Sequence, residues 1–368
     1  MTRRKNTKDK SENRKKTFKT PAFIIQGQGI INHIYTILCE QKVHFKKVLF
    51  LADKKTLTIG GDKIIKLLKA KNILVIKKCI RKSDIKTVRI IERIIRKQKP
   101  DLIIGFGGGK ILDVAKLSAG NNRLRFISIP TILSNDGISS PVSVITDKNG
   151  IPVSHLTRPP FGVIIDFNII KKAPLRHLRA GVGDLISNLS AVFDCRLAQK
   201  RKKERIDSQI LKLAEIGAKR LLKIKASSIK NLKFLECLCD GLLKSGLAMC
   251  LTGSSRPASG SEHKISHSMD YLFPNRDALH GEQVGIATLW TMALQKNPYL
   301  KAVRRLYKNI GFPCYVSYLK ICPEDFIKIV MYAKKIRPWR YTILEDKNLT
   351  EKDWKDYIGG LMPIKGNE

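Results

Sequence analysis

The chain is short of histidine, of acidic residues and of long apolar runs. Seven histidines occur in 368 residues, and 31 Asp and Glu stand against 70 Lys and Arg, for a formal charge of +39. No run of eighteen apolar residues occurs, which excludes a membrane-spanning helix of the usual kind. The N-terminal stretch carries no apolar core of the secretory type, so a secretory signal is not expected and a cytoplasmic protein is. The eight cysteines include no C-x-x-C pair. That argues against a four-cysteine zinc site and against a disulfide framework, and leaves free buried thiols as the default. Cys237-x-Cys239 falls in an apolar helical pattern and reads as packing.

The acid deficit has two readings. Basic residues are spread along the whole chain, without aromatic interleaving and without a nucleic-acid-binding motif, as a compositional bias would leave them. A field of that sign also favours an anionic substrate, and weak association with an anionic membrane or nucleic acid. Residues 1–20 hold nine Lys and Arg, two acidic residues and one aromatic. A segment of that composition cannot bury enough apolar surface to fold, so a disordered basic arm is expected, with a transit peptide as the alternative.

The remaining length suffices for two domains. Between 21 and 170, short apolar runs at 47–52, 72–76, 102–106, 126–129 and 163–165 read as buried strands. They alternate with helical patterns at 61–70 and 84–97, the second opening on Asp84 as an N-cap. This alternation predicts a Rossmann-like α/β domain with a mostly parallel sheet covered on both faces. From 171 to 368 the alternation stops. Patterns at 185–199, 207–225, 232–249, 259–270, 279–295 and 323–334 predict an all-α domain.

Three of the seven histidines, His263, His267 and His280, fall within eighteen residues, separated by a Pro/Asn/Arg/Asp turn. Imidazole is a frequent zinc ligand, and residues four apart share a helix face. The pattern predicts a metal site across two helices. Spacing alone leaves open which histidines are ligands, and a carboxylate from elsewhere would complete a three-ligand catalytic set. Asp184, in Gly183-Asp184-Leu185-Ile186-Ser187-Asn188, is the best-placed carboxylate, although alone it reads as an N-cap.

Gly105-Phe106-Gly107-Gly108-Gly109-Lys110-Ile111-Leu112-Asp113-Val114-Ala115-Lys116 follows a strand and opens a helix. Glycines there let backbone approach a phosphate at the helix N-terminus. The dinucleotide fingerprint fails because Lys stands at 110. The ATP-binding P-loop fails because Ile stands at 104 and 111. A pyrophosphate-binding turn is expected. The loop 129–141 is crowded with hydroxyls and reads as a capped turn or a cofactor loop. Asp53 closes the 47–52 strand, where a carboxylate accepts from a ribose 2′-hydroxyl and repels a 2′-phosphate, unless it merely caps a turn. Lys54 and Lys55 would offset that repulsion, so weak discrimination between a ribose with and without a 2′-phosphate is expected.

The G-G-G-K-x-x-D-x-x-K turn resembles that of the iron-containing alcohol dehydrogenase, glycerol dehydrogenase and dehydroquinate synthase superfamily. Pro130-Thr131-x-x-Ser134-x-Asp136-Gly137-x-x-Ser140-Pro141, Ser259-Gly260-Ser261-Glu262-His263-x-x-Ser266-His267 and Leu279-His280-Gly281-Glu282-Gln283 narrow the likeness. Together with Arg337-Pro338-Trp339-Arg340-Tyr341 they are similar to the sn-glycerol-1-phosphate dehydrogenase family, over about residues 22–350.

The resemblance implies a dehydroquinate synthase-like fold and a zinc-dependent, NAD(P)H-dependent reduction of dihydroxyacetone phosphate to sn-glycerol 1-phosphate for archaeal-type phospholipids. It implies that Gly107, Gly108, Gly109, Lys110, Ile111, Leu112 and Asp113 hold the dinucleotide pyrophosphate. Thr131, Ile132, Leu133, Ser134 and Ser140 would also contact the cofactor. Asp184, His263 and His280 would hold zinc, with Asp184 also facing substrate. Asp136 and His267 would bind substrate and serve catalysis. A homo-oligomer is expected. The rivals are a glycerol dehydrogenase on an uncharged polyol, and an inactivated scaffold that binds nucleic acid or membranes and would carry a damaged metal site. Dehydroquinate synthase would need further charged substrate residues that are not found.

No motif lies in the arm. Deleting residues 1–20 is expected to leave kcat and KM for the soluble substrate unchanged while weakening retention on heparin or anionic vesicles, most at low salt. A folded, metal-loaded truncation without turnover would place the arm in the active site.

Overall fold

A computed structural model describes residues 19–224, 228–274 and 277–361. Most of the expected basic arm, Lys225 at the end of the 207–225 helix, and Asn275 and Arg276 of the turn lie outside the described residues. Eight strands form among the described residues. Six make one all-parallel sheet: β1 (Phe23–Gly27), β2 (Lys47–Ala52), β3 (Leu74–Cys79), β4 (Leu102–Gly107), β5 (Arg125–Pro130) and β8 (Gly162–Asp166), in the order β1-β8-β5-β4-β2-β3. β6 (Val142–Thr146) and β7 (Pro152–Leu156) pair antiparallel as a separate hairpin.

Period-2 alternation sends each strand's side chains to two cores. Leu49, Leu51, Ile103 and Phe126 pack under α3 (Ile85–Gln98) and α4 (Gly109–Asn121). Val48, Phe50, Ile104 and Phe106 pack under α1 (Ile34–Glu40) and α2 (Asp62–Lys69). Burial on both faces is why these strands are almost continuously apolar in sequence. α3 begins where expected: Asp84 Oδ1 accepts from the Thr87 amide at 2.8 Å. β2 leads outward to β3, whereas β4 leads the other way to β5. The carboxyl ends of β2 and β4 therefore flank a topological switch point, where open α/β sheets bind ligands. Asp53 follows β2 and the glycine turn follows β4, one on each side of that crevice.

The helical part comprises α5 (Leu175–Lys200), α6 (Ser208–Leu221), α7 (Leu232–Thr252), α8 (Ser261–Leu272), α9 (His280–Leu294), α10 (Leu300–Ile310), α11 (Pro323–Ala333) and α12 (Glu351–Leu361), besides short helical turns. Its apolar side chains join the cluster that covers the α3/α4 face of the sheet. Three expectations need correction. Asp184 is no N-cap: α5 starts ten residues earlier than expected, behind Pro174, and runs straight through Gly181-Val182-Gly183-Asp184. Packing of a fully buried helix overrides the low helix propensity of those glycines. β1, the β6/β7 hairpin, α10 and α12 were not apparent from patterning, and β3 lies two to three residues beyond the expected 72–76. The 47–52 strand that Asp53 closes, the first of those expected, is the second strand of the chain, because β1 precedes it.

The glycines of α5 have a packing reason. A Cβ on Gly181 would overlap the Leu133 carbonyl, and one on Gly183 would overlap the Gly281 carbonyl and the Phe312 ring. α5 thus passes backbone-to-backbone against the hydroxyl loop and the start of α9. Gly183→Ala gains about 1 kcal/mol in helix propensity. Because the obstructing atom is backbone, the net effect is expected to be destabilising by about 1–3 kcal/mol. A thermal melt of the variant at or above the wild-type midpoint would contradict this.

Candidate active site

Asp184 from α5, His263 from α8 and His280 at the first position of α9 bring their donor atoms within 4.8 Å of one another. Asp184 Oδ1 lies 3.7 Å from His280 Nε2, while Asp184 Oδ2 accepts from the Asp136 amide at 2.9 Å. His263 Nδ1 sits 2.9 Å from Oε1 of the fully buried Glu262. A ring nitrogen facing a carboxylate oxygen is held as the N–H, which leaves Nε2 as the lone-pair donor. The His263 and His280 ring centroids are 5.1 Å apart.

The electrostatics of the cluster suit a dication. Burial holds the His263 and His280 imidazoles down to about 3, so both are neutral donors at physiological pH. Burial, and then the neighbouring Asp136 carboxylate, push the Asp184 carboxyl well above its ordinary range. A bound metal ion removes that penalty by pairing the carboxylate. Two neutral imidazoles and one carboxylate fit a catalytic zinc site, which takes three protein ligands and keeps an open position. His267 is outside this group of three, its ring centroid 6.3 Å from that of His263 and 6.2 Å from that of His280. Its Nδ1 faces Asp270 at 3.9 Å, and burial followed by the nearby Arg337 guanidinium keeps it well below the usual imidazole range. Asp270 accepts from Gln283 Nε2 at 3.0 Å, and Gln283 accepts in turn from the Ser266 hydroxyl at 2.8 Å.

The glycine turn opens α4, with Gly108 at its N-cap. A Cβ on Gly107 would overlap Ile111, and one on Gly108 would overlap Ile132, so the turn and the hydroxyl loop are in direct contact. Lys116, almost completely buried, donates from Nζ to the Gly137 and Val142 carbonyls at 2.7 Å each. The second lysine of the G-G-G-K-x-x-D-x-x-K pattern therefore fastens the hydroxyl loop to α4. Burial raises Asp113 to about 7 against the opposing pull of Lys116. It raises Asp136 to about 6, although Asp136 accepts from the Ser245 hydroxyl at 2.7 Å.

Two cavities meet across this turn, both touching Gly109, Lys110, Asn135 and His280. The first, of about 420 Å³, holds Asp184, His263, His267 and His280 together with Asp113, Asp136 and Ser140. The second, of about 410 Å³, runs past Gly108, Ile111, Thr131, Ile132 and Ser134 to Asp53. Gly107, Leu112 and Leu133 line neither; the two leucines are in the core. Asp53 both lines the second cavity and caps a turn, with Oδ1 accepting from the Thr56 amide at 2.7 Å. Sequence reasoning gave no role to Arg337, which lines the first cavity, or to Lys116. A half-buried Arg in a surface-like Arg-Pro-Trp-Arg string carries no signal in composition, because it is one of 70 Lys and Arg in the chain.

Residues 25–174 match the family model for iron-containing alcohol dehydrogenase. The glycerol-1-phosphate dehydrogenase [NAD(P)+] of Nitrosopumilus maritimus (strain SCM1) is 35% identical over 350 residues, covering 95% of this chain and 97% of that one. The Thermococcus sibiricus protein of the same name is 39% identical over 337 residues, covering 90% and 94%. Among solved structures, glycerol dehydrogenase from Schizosaccharomyces pombe superposes with a TM-score of 0.75 at 23% identity, over 93% of this chain and 89% of that one. A probable glycerol dehydrogenase from Sinorhizobium meliloti 1021 gives 0.75 at 21%, over 94% and 97%. These superpositions establish the dehydroquinate synthase-like fold. With near-full-length identity of this order, the chain belongs to the glycerol-1-phosphate dehydrogenase family of the iron-containing alcohol dehydrogenases.

Proposed function

We propose that the protein reduces dihydroxyacetone phosphate to sn-glycerol 1-phosphate with NADH or NADPH at a zinc centre. The observation that carries this reading is the convergence of Asp184, His263 and His280 at the meeting point of two cavities separated by the glycine turn. Relatives named for this activity align along nearly the whole chain. An inactivated scaffold would have lost at least one of the three donors, and all three are in place.

In this assignment Asp184, His263 and His280 hold the ion, and Glu262 fixes the His263 ring. Bound zinc would supply a Lewis acid for the C2 carbonyl and the alkoxide that forms from it. The second cavity takes the adenosine end of the dinucleotide, with Asp53 near the ribose and Lys54 and Lys55 moderating its charge. Gly107 to Asp113, with the N-terminus of α4, receive the pyrophosphate. Thr131, Ile132, Leu133, Ser134 and Ser140 line or support the path toward the metal, the leucine through main chain. Bound NADH or NADPH would supply the hydride for C2, and the C2 oxygen needs a proton. Neutral His267 offers an N–H to that oxygen, and Asp136 orients the substrate beside it.

The rest of the proposal concerns setting. The chain divides near residue 170 into a cofactor-binding part and a helical metal- and substrate-binding part, with the cleft between them. No helix of the described residues is long and apolar enough to cross a membrane. All eight cysteines are free thiols, as a reducing cytoplasm would keep them. Exposed Leu74, Leu156 and Trp339 favour a homo-oligomer. The basic surface favours weak contact with anionic membranes or nucleic acid.

The zinc-loaded protein is expected to oxidise NADH and NADPH in the presence of dihydroxyacetone phosphate, and much less with dihydroxyacetone. Preference between the cofactors should stay below about a hundredfold, roughly 2.7 kcal/mol. Equal turnover of the two ketones would favour a polyol dehydrogenase, and a larger cofactor preference would remove Asp53 and its lysines from the ribose site. His263→Ala is expected to lose zinc and nearly all activity. His267→Ala is expected to keep a full equivalent of zinc while losing turnover. Metal loss in His267→Ala with retention in His263→Ala would exchange the two roles.

A further inference from the structure

We propose that Arg337 is the anchor for the substrate's phosphate group and so the residue that separates phosphorylated from unphosphorylated ketones; this deepens the assignment to dihydroxyacetone phosphate and rests on it. Arg337 lines the cavity that holds the metal triad. Two of its five donors are used: Nη1 donates to the Ser259 hydroxyl at 3.0 Å and Nη2 to the Ser154 hydroxyl at 3.2 Å. Both partners are neutral. Among the described residues no carboxylate pairs with the guanidinium. Arg256 and Arg176, by contrast, are paired with Glu204 and Glu282. Buried Arg340 also lacks a carboxylate, but it donates to the Ser259 carbonyl and the Ser255 hydroxyl and does not line the cavity. Burial alone pulls Arg337 below its ordinary range, with no opposing anion. A half-buried cation without a counter-charge carries part of its desolvation cost until a ligand supplies one.

The four carboxylates of the same cavity are committed elsewhere. Asp184 belongs to the metal triad, Asp136 accepts from Ser245, Asp113 sits beside Lys116, and Asp270 accepts from Gln283. The cavity's other long cation, Lys110, stands on the glycine turn at the start of α4 and touches both cavities. It belongs to the cofactor's pyrophosphate. Arg337 is absent from the second cavity. The second cavity has Lys55, Lys110 and Lys172 for the cofactor's anionic groups, and Arg337 is the long cation that lines the first cavity alone. Arg337 shares the cavity of about 420 Å³ with His263, His267 and His280, which puts it within a small molecule's span of the metal site. The seryl hydroxyls hold the planar fork by one edge and leave three N–H groups for phosphate oxygens. The residue has a φ of +48° immediately before Pro338, a backbone conformation that L side chains rarely adopt.

The test compares Arg337→Gln and Arg337→Lys with the wild type in zinc-loaded enzyme, on dihydroxyacetone phosphate and on dihydroxyacetone, with zinc content and the KM for NADH recorded. Arg337→Gln should lose about a hundredfold or more in kcat/KM for the phosphorylated ketone, mostly through KM, and little for dihydroxyacetone. Arg337→Lys, which keeps the charge but not the fork, should fall between. Inorganic phosphate should compete with dihydroxyacetone phosphate in the wild type and lose that competition in Arg337→Gln. Equal losses on both ketones, an unchanged kcat/KM for the phosphorylated one, or a selective rise in the KM for NADH would overturn the assignment. If Arg337→Gln does not fold, the wild-type phosphate competition and Arg337→Lys decide: absence of competition, or a Lys variant equal to wild type, rejects it. A wild type that reduces dihydroxyacetone as well as its phosphate instead rejects the substrate reading itself.

Discussion

The active site depends on how closely one helix is allowed to pass. α5 runs against the hydroxyl loop and the first turn of α9 with no side chain between, because Gly181 and Gly183 leave that space empty. Only at that distance does the Asp184 carboxylate reach both the Asp136 amide on one side and His280 on the other. A carboxylate in the middle of a buried helix is otherwise expensive, since its helix partners are already satisfied and solvent is excluded. Here the group stands beside His263 and His280, in a cluster that could hold a metal ion. Folding therefore stores at Asp184 an electrostatic demand that a dication would fulfil, and the same close approach fixes the hydroxyl loop relative to that cluster.

A second layer of buried charge supports the first. Glu262 sets the His263 ring, Gln283 and Ser266 hold Asp270 opposite His267, and Arg176 with Tyr318 engages Glu282 at the start of α9. Arg176 on α5 and Tyr318 are partly exposed, but the carboxylate they engage is buried. The other groups come from α8 and α9, whose opening turns each carry a glutamate, Glu262 beside His263 and Glu282 two residues after His280. The reacting groups are thus presented by rigid elements, and geometry rather than mobility determines what the site accepts.

Much of this was legible in the chain. Strands buried on both faces announce themselves as apolar runs, and β2, β4, β5 and β8 were readable for that reason. β1 and the β6/β7 hairpin were not, because their partly exposed residues mix with polar ones and dilute the pattern. The clustered histidines pointed to a metal, but the choice among them needed either the family likeness or coordinates, since His263 and His267 are equivalent by helical spacing. Asp184 misled through Gly183: glycine before an acidic residue reads as a helix start, and only tertiary packing makes it a helix interior. Arg337 and Lys116 were invisible because burial, not residue type, gives them meaning in a chain this basic.

Lys116 also bears on how this protein is free to change. Its ammonium satisfies two main-chain carbonyls from inside the core, at the end of an extended four-carbon stem. Methionine fills the same tunnel and leaves both carbonyls orphaned; glutamine is too short; arginine is too broad for a space closed on every side. No single substitution reproduces what the residue does, and its neighbours from Val114 to Ala119 are buried as well. Room for change in this helix is therefore confined to its two ends, where Lys110 and Asn121 face solvent.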